Sequence, residues 1–340
     1  MRRPTLRDVA DGAGVHPATA SRALNPQTRH LVSPETADRV NRVARALGYR
    51  PNPVARSLKT SRSSSIGLII PDLTNPLFPP IVRGVEDVLG PVGYNAWIAN
   101  TDNDPAREEA AVESMRSRNV EGFVFATARL EHPLLEDLAA ANTPVVLVNR
   151  RLAKPTVPSV TADDAAGISM ALHHLVEEGH KRIVHLAGPQ DLSTGVNRLR
   201  AFRQALHEHG LDENQTRIEV CRSWTEAAGA ETLNKLLAEG ADFTAILAGN
   251  DMLALGCYDV LAEHGLRCPE DVSVVGFNDA AFMDKLTPAL TTVHSPQYEL
   301  GAEAARMLLE ELSEPRTHPR SVVLPVTFKV RGSTAPPRSP

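Results

Sequence analysis

The sequence predicts a small all-α head followed by an α/β body made of two doubly wound, parallel-sheet lobes. Three observations support this prediction: an uneven charge, three short amphipathic helical patterns in residues 1–49, and alternating strand and helix patterns from about residue 65. Residues 1–62 hold 12 Lys and Arg against 4 Asp and Glu, a net of +8, whereas the rest holds 24 against 37, a net of -13. A basic head on an acidic body is typical of a nucleic-acid-binding segment joined to a ligand-binding or enzymatic domain.

The head is predicted to form a helix-turn-helix unit. Thr5 is expected to cap the first helix, with the carboxylate of Asp8 completing a capping box. Gly14 ends that helix in a tight turn, and Pro17 supplies the first-turn residue of the second helix. A third helix is predicted to begin at Ser33. Three short helices with a glycine turn between the first two are the pattern of this DNA-binding motif.

The second helix carries the residues expected to contact DNA. In a major groove, Arg22 can donate two hydrogen bonds to a guanine edge, and the methyl group of Ala18 can contact a thymine methyl. Thr19, Ser21 and Asn25 would then hold phosphates and set the register. The alternative is a three-helix interaction module with a solvated Arg22, but the net charge of the head favours DNA. The predicted contacts of the head are Thr5, Pro17, Ala18, Thr19, Ser21, Arg22 and Asn25.

Residues 50–63, RPNPVARSLKTSRS, are predicted to form a hinge: a helix of about two turns followed by a Ser-rich linker. A helix this short is marginal in water and needs a partner to form. Packed against its copy in a dimer and laid in the minor groove, it would push Leu58 between base pairs and kink the duplex. A flexible linker is the alternative. The predicted contacts of the hinge are Asn52, Ala55, Leu58 and Lys59.

The body alternates apolar runs with helical patterns. SIGLII, YNAWIA, GFVFA and PVVLV predict buried parallel strands, with helices near 76–90, 105–118 and 133–141 between them. RIVHLAG, IEVC, FTAILA and VSVVGF repeat the scheme with their own helices. The sequence therefore predicts two doubly wound lobes with a cleft between them, where ligands bind at the carboxyl ends of the strands.

Polar residues directly follow several of these strands, among them Asn149, Asp163 and Asn250. Asn and Asp also cap helices routinely, which is the alternative explanation for each one singly. Arg198 could bind two neighbouring hydroxyls or a carboxylate, and the indole of Trp224 offers a flat face to a sugar ring or a base. A surface charge for Arg198 and core packing for Trp224 are the corresponding alternatives.

Several functional classes are not supported by the sequence. It contains no nucleophile elbow, P-loop or dinucleotide-binding glycine motif, and its histidines lack metal-ligand spacing, so we expect no enzyme, cofactor or metal site. The 3 cysteines form no C-x-x-C pair, which argues against disulfides and zinc. No signal-peptide pattern and no run of about 18 apolar residues is present. We therefore expect a cytoplasmic protein without a membrane partner.

The motifs TLRDVADGAGVHPATASRALN and GYRPNPVARSLK resemble the head and hinge of the LacI/GalR family of bacterial transcriptional regulators. The similarity continues through SIGLIIPDLTNPLF, GHKRIVHLAGP, NRLRAF, GNDMLALG, EDVSVVGFND and PALTTVHSP, and so covers nearly the whole chain. Two positions depart from the family. His16 stands where the family usually has Ser as the helix cap, and Asn278 precedes Asp279 where some relatives have two acids, which bears on ligand identity.

The resemblance implies lobes of periplasmic-binding-protein type within residues 64–340. The chain would cross between them three times, near 161, 292 and 325. The expected lobe ranges are about 64–161 with 293–325, and about 162–292 with 326–332.

The resemblance also implies an effector site between the lobes. Arg198, Asn250 and Asp279 match the family's Arg, Asn and Asp motifs, an aromatic residue is usual at the position of Trp224, and Phe78 would complete the site from the other lobe. The expected effector contacts are Phe78, Asn149, Asp163, Thr194, Arg198, Trp224, Asn250, Asn278 and Asp279.

By the same resemblance, a homodimer would bind double-stranded operator DNA and a small molecule in the cleft would change that affinity. Most relatives are released from DNA by a sugar, and some are retained by a purine. We therefore expect a repressor with a sugar effector. A purine or nucleoside effector is one alternative, and a small-molecule binding protein without a DNA function is another.

Overall fold

A computed structural model describes residues 4–25, 28–49, 63–212, 216–314 and 318–338. The chain divides into two compact units, Met1–Ser63 and Ser64–Pro340. Each unit has its own hydrophobic core. The four predicted hinge contacts lie outside the described residues and stay predictions: Asn52, Ala55, Leu58 and Lys59.

The head has the predicted three helices, α1 (Leu6–Gly12), α2 (Pro17–Leu24) and α3 (Pro34–Ala46), with a short 3-10 turn at Arg29–Leu31. Small apolar side chains form its core, and the buried ones are Val9, Ala10, Ala13, Ala20, Ala23, Ala37, Val40 and Ala44. Such small residues let three short helices approach closely, as a compact helix-turn-helix unit requires.

Both helix starts in the first half of the head are capped by side chains. The hydroxyl of Thr5 accepts a hydrogen bond from the amide of Asp8 at 3.3 Å, and the amide of Thr5 donates to the Asp8 carboxylate at 2.7 Å, which confirms the capping box. At α2, Nδ1 of His16 accepts from the amide of Ala18 at 3.2 Å. The imidazole therefore performs the capping role that Ser, Thr, Asn or Asp side chains usually perform.

The first lobe contains a six-stranded sheet in the order β11-β5-β4-β3-β1-β2, in which all the strands are parallel. Its strands are β1 (Ser65–Ile70), β2 (Asn95–Asn100), β3 (Gly122–Phe125), β4 (Val145–Val148), β5 (Ser159–Ala162) and β11 (Ser321–Leu324). Its helices are α4 (Phe78–Leu89), α5 (Pro105–Arg116), α6 (Pro133–Ala140) and α11 (Gln297–Ser313). Apolar clusters cover both faces of the sheet, as the continuous apolar runs predicted.

The second lobe repeats this architecture in the order β12-β10-β9-β8-β6-β7, with only β12 antiparallel to its neighbour. Its strands are β6 (Ile183–Ala187), β7 (Arg217–Val220), β8 (Ala245–Ala248), β9 (Ser273–Asn278), β10 (Thr291–His294) and β12 (Thr327–Lys329). Its helices are α7 (Asp164–Glu177), α8 (Ser193–Glu208), α9 (Glu226–Ala238) and α10 (Asp251–Glu263). Two doubly wound lobes are therefore present, as the sequence predicted.

The chain crosses between the lobes after β5, after β10 and between β11 and β12. Strand β10 stays paired with β9 through His294, so the second crossing lies slightly beyond the expected position near 292. The tail also continues in the second lobe past the expected end at 332. There, Ser333 Oγ accepts from the amide of Thr291 at 2.7 Å and donates to the carbonyl of Val274 at 2.6 Å.

No described helix is long and apolar enough to cross a membrane.

Asp251, at the start of α10, ties the turn after β9 to β10. Its Oδ2 accepts from the amide of Ala280 at 2.7 Å, and its Oδ1 accepts from the hydroxyl of Thr292 at 2.5 Å. Burial raises the pKa of this carboxyl to about 6, although both hydrogen bonds oppose the shift. A group so far from its usual pKa links the stability of the second lobe to pH.

We expect Asp251→Asn to remove a pH-dependent part of the stability. Because the pKa is raised in the folded state, the carboxyl's contribution to the free energy of unfolding is complete below about pH 4 and is lost as pH rises through about 6. The contribution that is lost amounts to about 3 kcal/mol. Burial lowers the pKa of His185 to about 4, which acts in the opposite direction: that contribution is complete above about pH 6.5 and is lost as pH falls.

The difference between wild type and Asp251→Asn isolates the carboxyl, since His185 is present in both proteins. Urea unfolding between about pH 4 and pH 7 measures it. As the pH rises, the free energy of unfolding of the variant should increase relative to that of wild type. A difference that stays constant across this range would contradict the prediction.

Candidate functional site

A cleft between the two lobes brings together seven of the nine side chains predicted for the effector site. The empty space at its walls, including the part that is open to solvent, is about 310 Å³, and the cleft shares residues with a wider mouth of about 670 Å³ on the same basis. The inner walls consist of Asn75, Leu77, Phe78, Asn149, Arg150, Thr194, Arg198, Trp224, Asn250 and Asn278. Both lobes contribute, so a molecule held here would contact both and bias their arrangement.

Arg198 lies in the wall of this cleft, on α8, and is only 3% exposed. Its Nε donates to the carboxylate of Asp164 at 2.8 Å, and its Nη1 donates to the carbonyl of Gly249 at 2.7 Å. The guanidinium carbon lies 3.7 Å from the ring centre of Phe277. These contacts leave Nη2 without a hydrogen-bond partner among the described residues, so one end of the fork is available to a ligand. The neighbouring Arg200 and Arg203 are exposed.

Asp164 holds Arg198 in place from the first turn of α7. Burial raises the pKa of this carboxyl, while the charge of Arg198 and its hydrogen bond favour the ionised form. The two side chains form a buried ion pair. Breaking one half of such a pair is strongly destabilising, because the other charge remains buried without a partner.

The indole of Trp224 packs against two glycines at strand ends. A Cβ atom at Gly188 would lie 2.0 Å from the Cη2 and Cζ2 atoms of Trp224, and one at Gly249 would lie 2.9 Å from its Cζ3 atom. The guanidinium carbon of Arg198 is 5.5 Å from the centre of the indole. Glycine at 188 and 249 therefore makes room for an aromatic ring beside the arginine, a combination suited to a ring with polar edges.

We expect Gly188→Ala to displace the indole of Trp224 and to lower stability by about 1–3 kcal/mol through overpacking. The protein has 2 Trp, so in a Trp97→Phe background the emission reports Trp224. The emission maximum and the urea midpoint should both shift. Gly90→Ala is the matched control, because no atom lies within 4 Å of a Cβ there. Identical behaviour of the two alanine variants would contradict this packing.

The asparagines of the site have different tasks. Asn250 caps α10 by accepting from the amide of Leu253 at 2.9 Å, and it donates to the carbonyl of Trp224 at 3.4 Å. Helix capping is the alternative to a ligand contact that was stated above for this residue. In the structure, Asn250 both caps α10 and lines the cleft. The Oδ1 atom of Asn278 is buried without a hydrogen-bond partner in the described part of the chain. Asn149 lines the cleft after β4 with a left-handed backbone, φ 67°.

Two predicted contacts are engaged elsewhere and do not line the cleft. Asp163 caps α7, accepting from the amide of Ala166 at 2.9 Å. Asp279 pairs with Arg331 at 2.6 Å and with His294 at 3.1 Å. For Asp163, the adjacent Asp164 is the residue that reaches the site, through Arg198. For Asp279, the partners are His294 at the end of β10 and Arg331 beyond β12, and both ion pairs engage the carboxylate.

Three residues of the cleft wall were not predicted: Asn75, Leu77 and Arg150. Asn75 lies in the DLTNPLF motif, where its Oδ1 accepts from the amide of Leu77 at 3.0 Å. Arg150 directly follows Asn149 after β4. The rule that polar residues follow buried strands could have found Arg150, had it been applied to the second polar residue as well as the first.

The lobes touch at the mouth of the cleft. The amide of Leu130 donates to the carbonyl of Asp191 at 2.9 Å, and the amide of Arg151 donates to Ser193 Oγ at 3.0 Å. Leu130 and Arg151 belong to the first lobe, and their partners belong to the second. Both hydrogen bonds join a main-chain amide of the first lobe to an acceptor in the second lobe. They therefore stabilise the arrangement in which the two lobes are in contact.

The outer face of α2 carries the side chains predicted to contact DNA. Ala18 and Arg22 are exposed, while Pro17, Thr19, Ser21 and Asn25 are half-buried. Ala20 and Ala23 face the core. This division leaves Arg22 on the open side of the helix, as a residue that contacts base edges must be. Thr5 is engaged as the cap of α1.

Among the residues that the structure describes, no group of three His, Cys, Asp or Glu side chains could hold a metal ion.

The fold and the cleft define a DNA-binding regulator with a periplasmic-binding-protein-like body. The pattern of the bacterial regulatory proteins of the lacI family matches residues 5–52, and that of the periplasmic binding protein-like domain matches residues 172–334. The chain is 34% identical over 339 residues to the HTH-type transcriptional regulator CelR of Thermobifida fusca, covering 98% of each chain. It is 32% identical over 331 residues to catabolite control protein A of Priestia megaterium, covering 97% of this chain and 99% of that protein.

A solved structure supports the same assignment. The lac repressor dimer bound to operator and the anti-inducer ONPF superimposes with a TM-score of 0.86 at 28% identity, covering 98% of this chain and all of the other. The chain belongs to the lacI family of bacterial regulatory proteins, and it is a transcriptional regulator.

Proposed function

We propose that this regulator binds operator DNA as a homodimer through its helix-turn-helix head, and that a small molecule in the interlobe cleft controls the affinity. One observation carries the proposal: a single chain combines an exposed Arg22 on the second helix of the head with a cleft whose walls come from two lobes. The solved lac repressor, a dimer on its operator, is similar over almost the whole chain. The proposed direction is repression.

The effector proposed for the cleft is a sugar. Polyhydroxylated rings bind where an aromatic face is combined with amide and guanidinium groups, and Trp224, Asn250 and Arg198 supply these groups on one wall. A solved complex of the similar regulator CelR contains cellobiose. A purine or nucleoside is the second candidate, because Phe78 and Trp224 both line the cleft and a base could stack on either.

The proposed coupling works through lobe arrangement. A ligand that touches both walls favours one lobe angle, and the hinge at residues 50–63 would transmit that angle to the head. Coupling free energies between sites are typically about 1–3 kcal/mol, so a modest preference for one lobe arrangement is enough. We also propose that the protein acts in the cytoplasm and has no catalytic activity of its own.

A thermal-shift screen of the full chain tests the proposal. Sugars, nucleosides and purines are each added to the protein, and every compound that raises the midpoint is then tested for its effect on DNA binding. We expect at least one compound to do both. If compounds that stabilise the protein leave its DNA affinity unchanged, the cleft is not a control site.

A further inference from the structure

Arg150 is a buried guanidinium without a partner among the residues that the structure describes. It is 5% exposed, and its Nε and Nη1 atoms are buried with no hydrogen-bond acceptor in the described part of the chain. Burial lowers its pKa to about 10, which leaves it charged at neutral pH. Arg198 in the same cleft is also buried, but Asp164 neutralises it. Of the two arginines, only Arg150 has no counter-ion in the described ranges of the chain.

The acidic groups with the strongest influence on Arg150 are already engaged. Asp191 lies 3.9 Å from Nε of Arg129 and its side chain is largely exposed. Glu108 accepts from His132 at 2.9 Å. No carboxylate oxygen of the described residues lies within ion-pair distance, 4.0 Å, of the Arg150 guanidinium. The cleft wall therefore contains a cation that nothing in the described part of the chain compensates. A buried charge that is neither paired nor hydrogen-bonded is strongly unfavourable.

We propose that Arg150 is an anion subsite and that the effector is an acidic sugar whose carboxylate or phosphate group binds it. This rests on the proposed function and specifies the class of its ligand. Either edge of the planar guanidinium, Nε with Nη2 or Nη1 with Nη2, matches both kinds of oxyanion with two parallel hydrogen bonds. A neutral sugar could accept hydrogen bonds from Nε and Nη1 through its hydroxyls, but it would leave the charge uncompensated.

The rest of the wall agrees with this ligand class. The ten inner wall residues include no carboxylate and two arginines, one of which is neutralised. The unpartnered Oδ1 of Asn278 needs a donor, which a sugar hydroxyl supplies and an oxyanion cannot. Arg150 and Asn278 therefore select a molecule that combines an anionic group with hydroxyls.

A matched panel of probes tests the subsite on the full chain. Glucose, gluconate, glucuronate and glucose 6-phosphate are each added at about 10 mM to the wild type, to Arg150→Gln and to Arg200→Gln, and the thermal midpoint is measured. Arg200→Gln makes the same charge change on the exposed face of α8. We expect at least one anionic probe, but not glucose, to raise the midpoint of wild type and of Arg200→Gln. The same probe should bind Arg150→Gln at least about ten-fold more weakly, as the loss of a charge-assisted bidentate pair implies.

Gluconate and glucuronate carry a carboxylate and glucose 6-phosphate carries a phosphate, so the probes that bind identify which anionic group the subsite takes. If no anionic probe distinguishes wild type from Arg150→Gln, the subsite is overturned. If glucose or another neutral sugar binds both proteins equally and changes DNA affinity, the subsite is overturned while the proposed function stands. If the anionic probes bind as expected but never change DNA affinity, the subsite stands and the proposed function fails.

A ligand-free measurement tests the same charge independently. Without any probe, Arg150→Met should raise the thermal midpoint by a few degrees, because it replaces an uncompensated buried cation with an apolar side chain of similar length. Arg200→Met, on the exposed face, should leave the midpoint nearly unchanged. A fall in the midpoint of Arg150→Met would show that the guanidinium has a stabilising partner in the protein and would overturn the subsite.

Discussion

Arg198→Met combined with Asp164→Leu is expected to give a folded protein that has lost its response to the cleft ligand. The single variant Arg198→Met leaves the Asp164 carboxylate buried without a partner, and we expect it to lower the free energy of unfolding by about 3–5 kcal/mol. The double variant removes both charges together. Replacing a buried ion pair by apolar side chains is often neutral or stabilising by about 1–4 kcal/mol, so stability should recover.

The double variant separates the two roles of Arg198. Urea unfolding measures stability, and the emission of Trp224, 5.5 Å from the guanidinium, measures ligand binding in a Trp97→Phe background. We expect recovered stability with lost binding. Wild-type ligand affinity in the double variant would mean that Arg198 only supports the fold, and an unchanged stability of Arg198→Met would mean that Asp164 does not need it.

Arg22→Ala is expected to weaken specific DNA binding by about 10- to 100-fold, because a bidentate contact to a guanine edge contributes about 1–3 kcal/mol of discrimination. Binding to random duplex DNA should fall much less, since phosphate contacts from the rest of the basic head remain. The ratio of specific to random affinity, measured at one salt concentration by fluorescence anisotropy, is therefore the diagnostic quantity.

Arg200→Ala serves as the control for charge, since that side chain is exposed on α8 of the body. It should leave the ratio unchanged. If Arg22→Ala weakens specific and random binding equally, Arg22 contacts phosphate rather than bases. If neither affinity changes, α2 is not the reading helix.

The architecture of the body was predictable because buried parallel strands are continuous apolar runs. The helices found at Phe78–Leu89, Pro105–Arg116 and Pro133–Ala140 fall within the ranges read from the sequence. The second crossing lies slightly beyond the expected position near 292, because nothing in the sequence TTVH indicates which sheet the strand joins. Only the pairing of β10 with β9 through His294 decides where it belongs. Local patterns describe elements well but do not determine which lobe they join.

The candidate site was partly predictable for a similar reason. Strand ends locate the cleft, but side-chain direction and distant partners decide which polar groups line it. Asp163 and Asp164 are neighbours of the same type, and only the fold shows that the first caps a helix while the second pairs with Arg198. Asp279 is withdrawn by Arg331, a partner 52 positions along the chain. Nothing local signals such a contact.

Arg150 illustrates a different limit. Its position after β4 is visible in the sequence, but its lack of an ion pair with any described carboxylate is a property of the folded lobes. Arg198, also adjacent to the cleft, has a counter-ion in Asp164, and the sequence does not distinguish these two arginines. The difference in pairing makes Arg150 the informative residue for ligand charge.

The most direct test of control by the cleft is the affinity of the full-length protein for a DNA duplex selected from a random pool, with and without a compound that binds the cleft. Fluorescence anisotropy gives the dissociation constant in both conditions for wild type and for the Arg198→Met/Asp164→Leu variant. We predict that the compound changes the constant by about 5- to 150-fold in wild type and leaves it unchanged in the variant. An equal constant with and without bound compound in wild type would contradict the account.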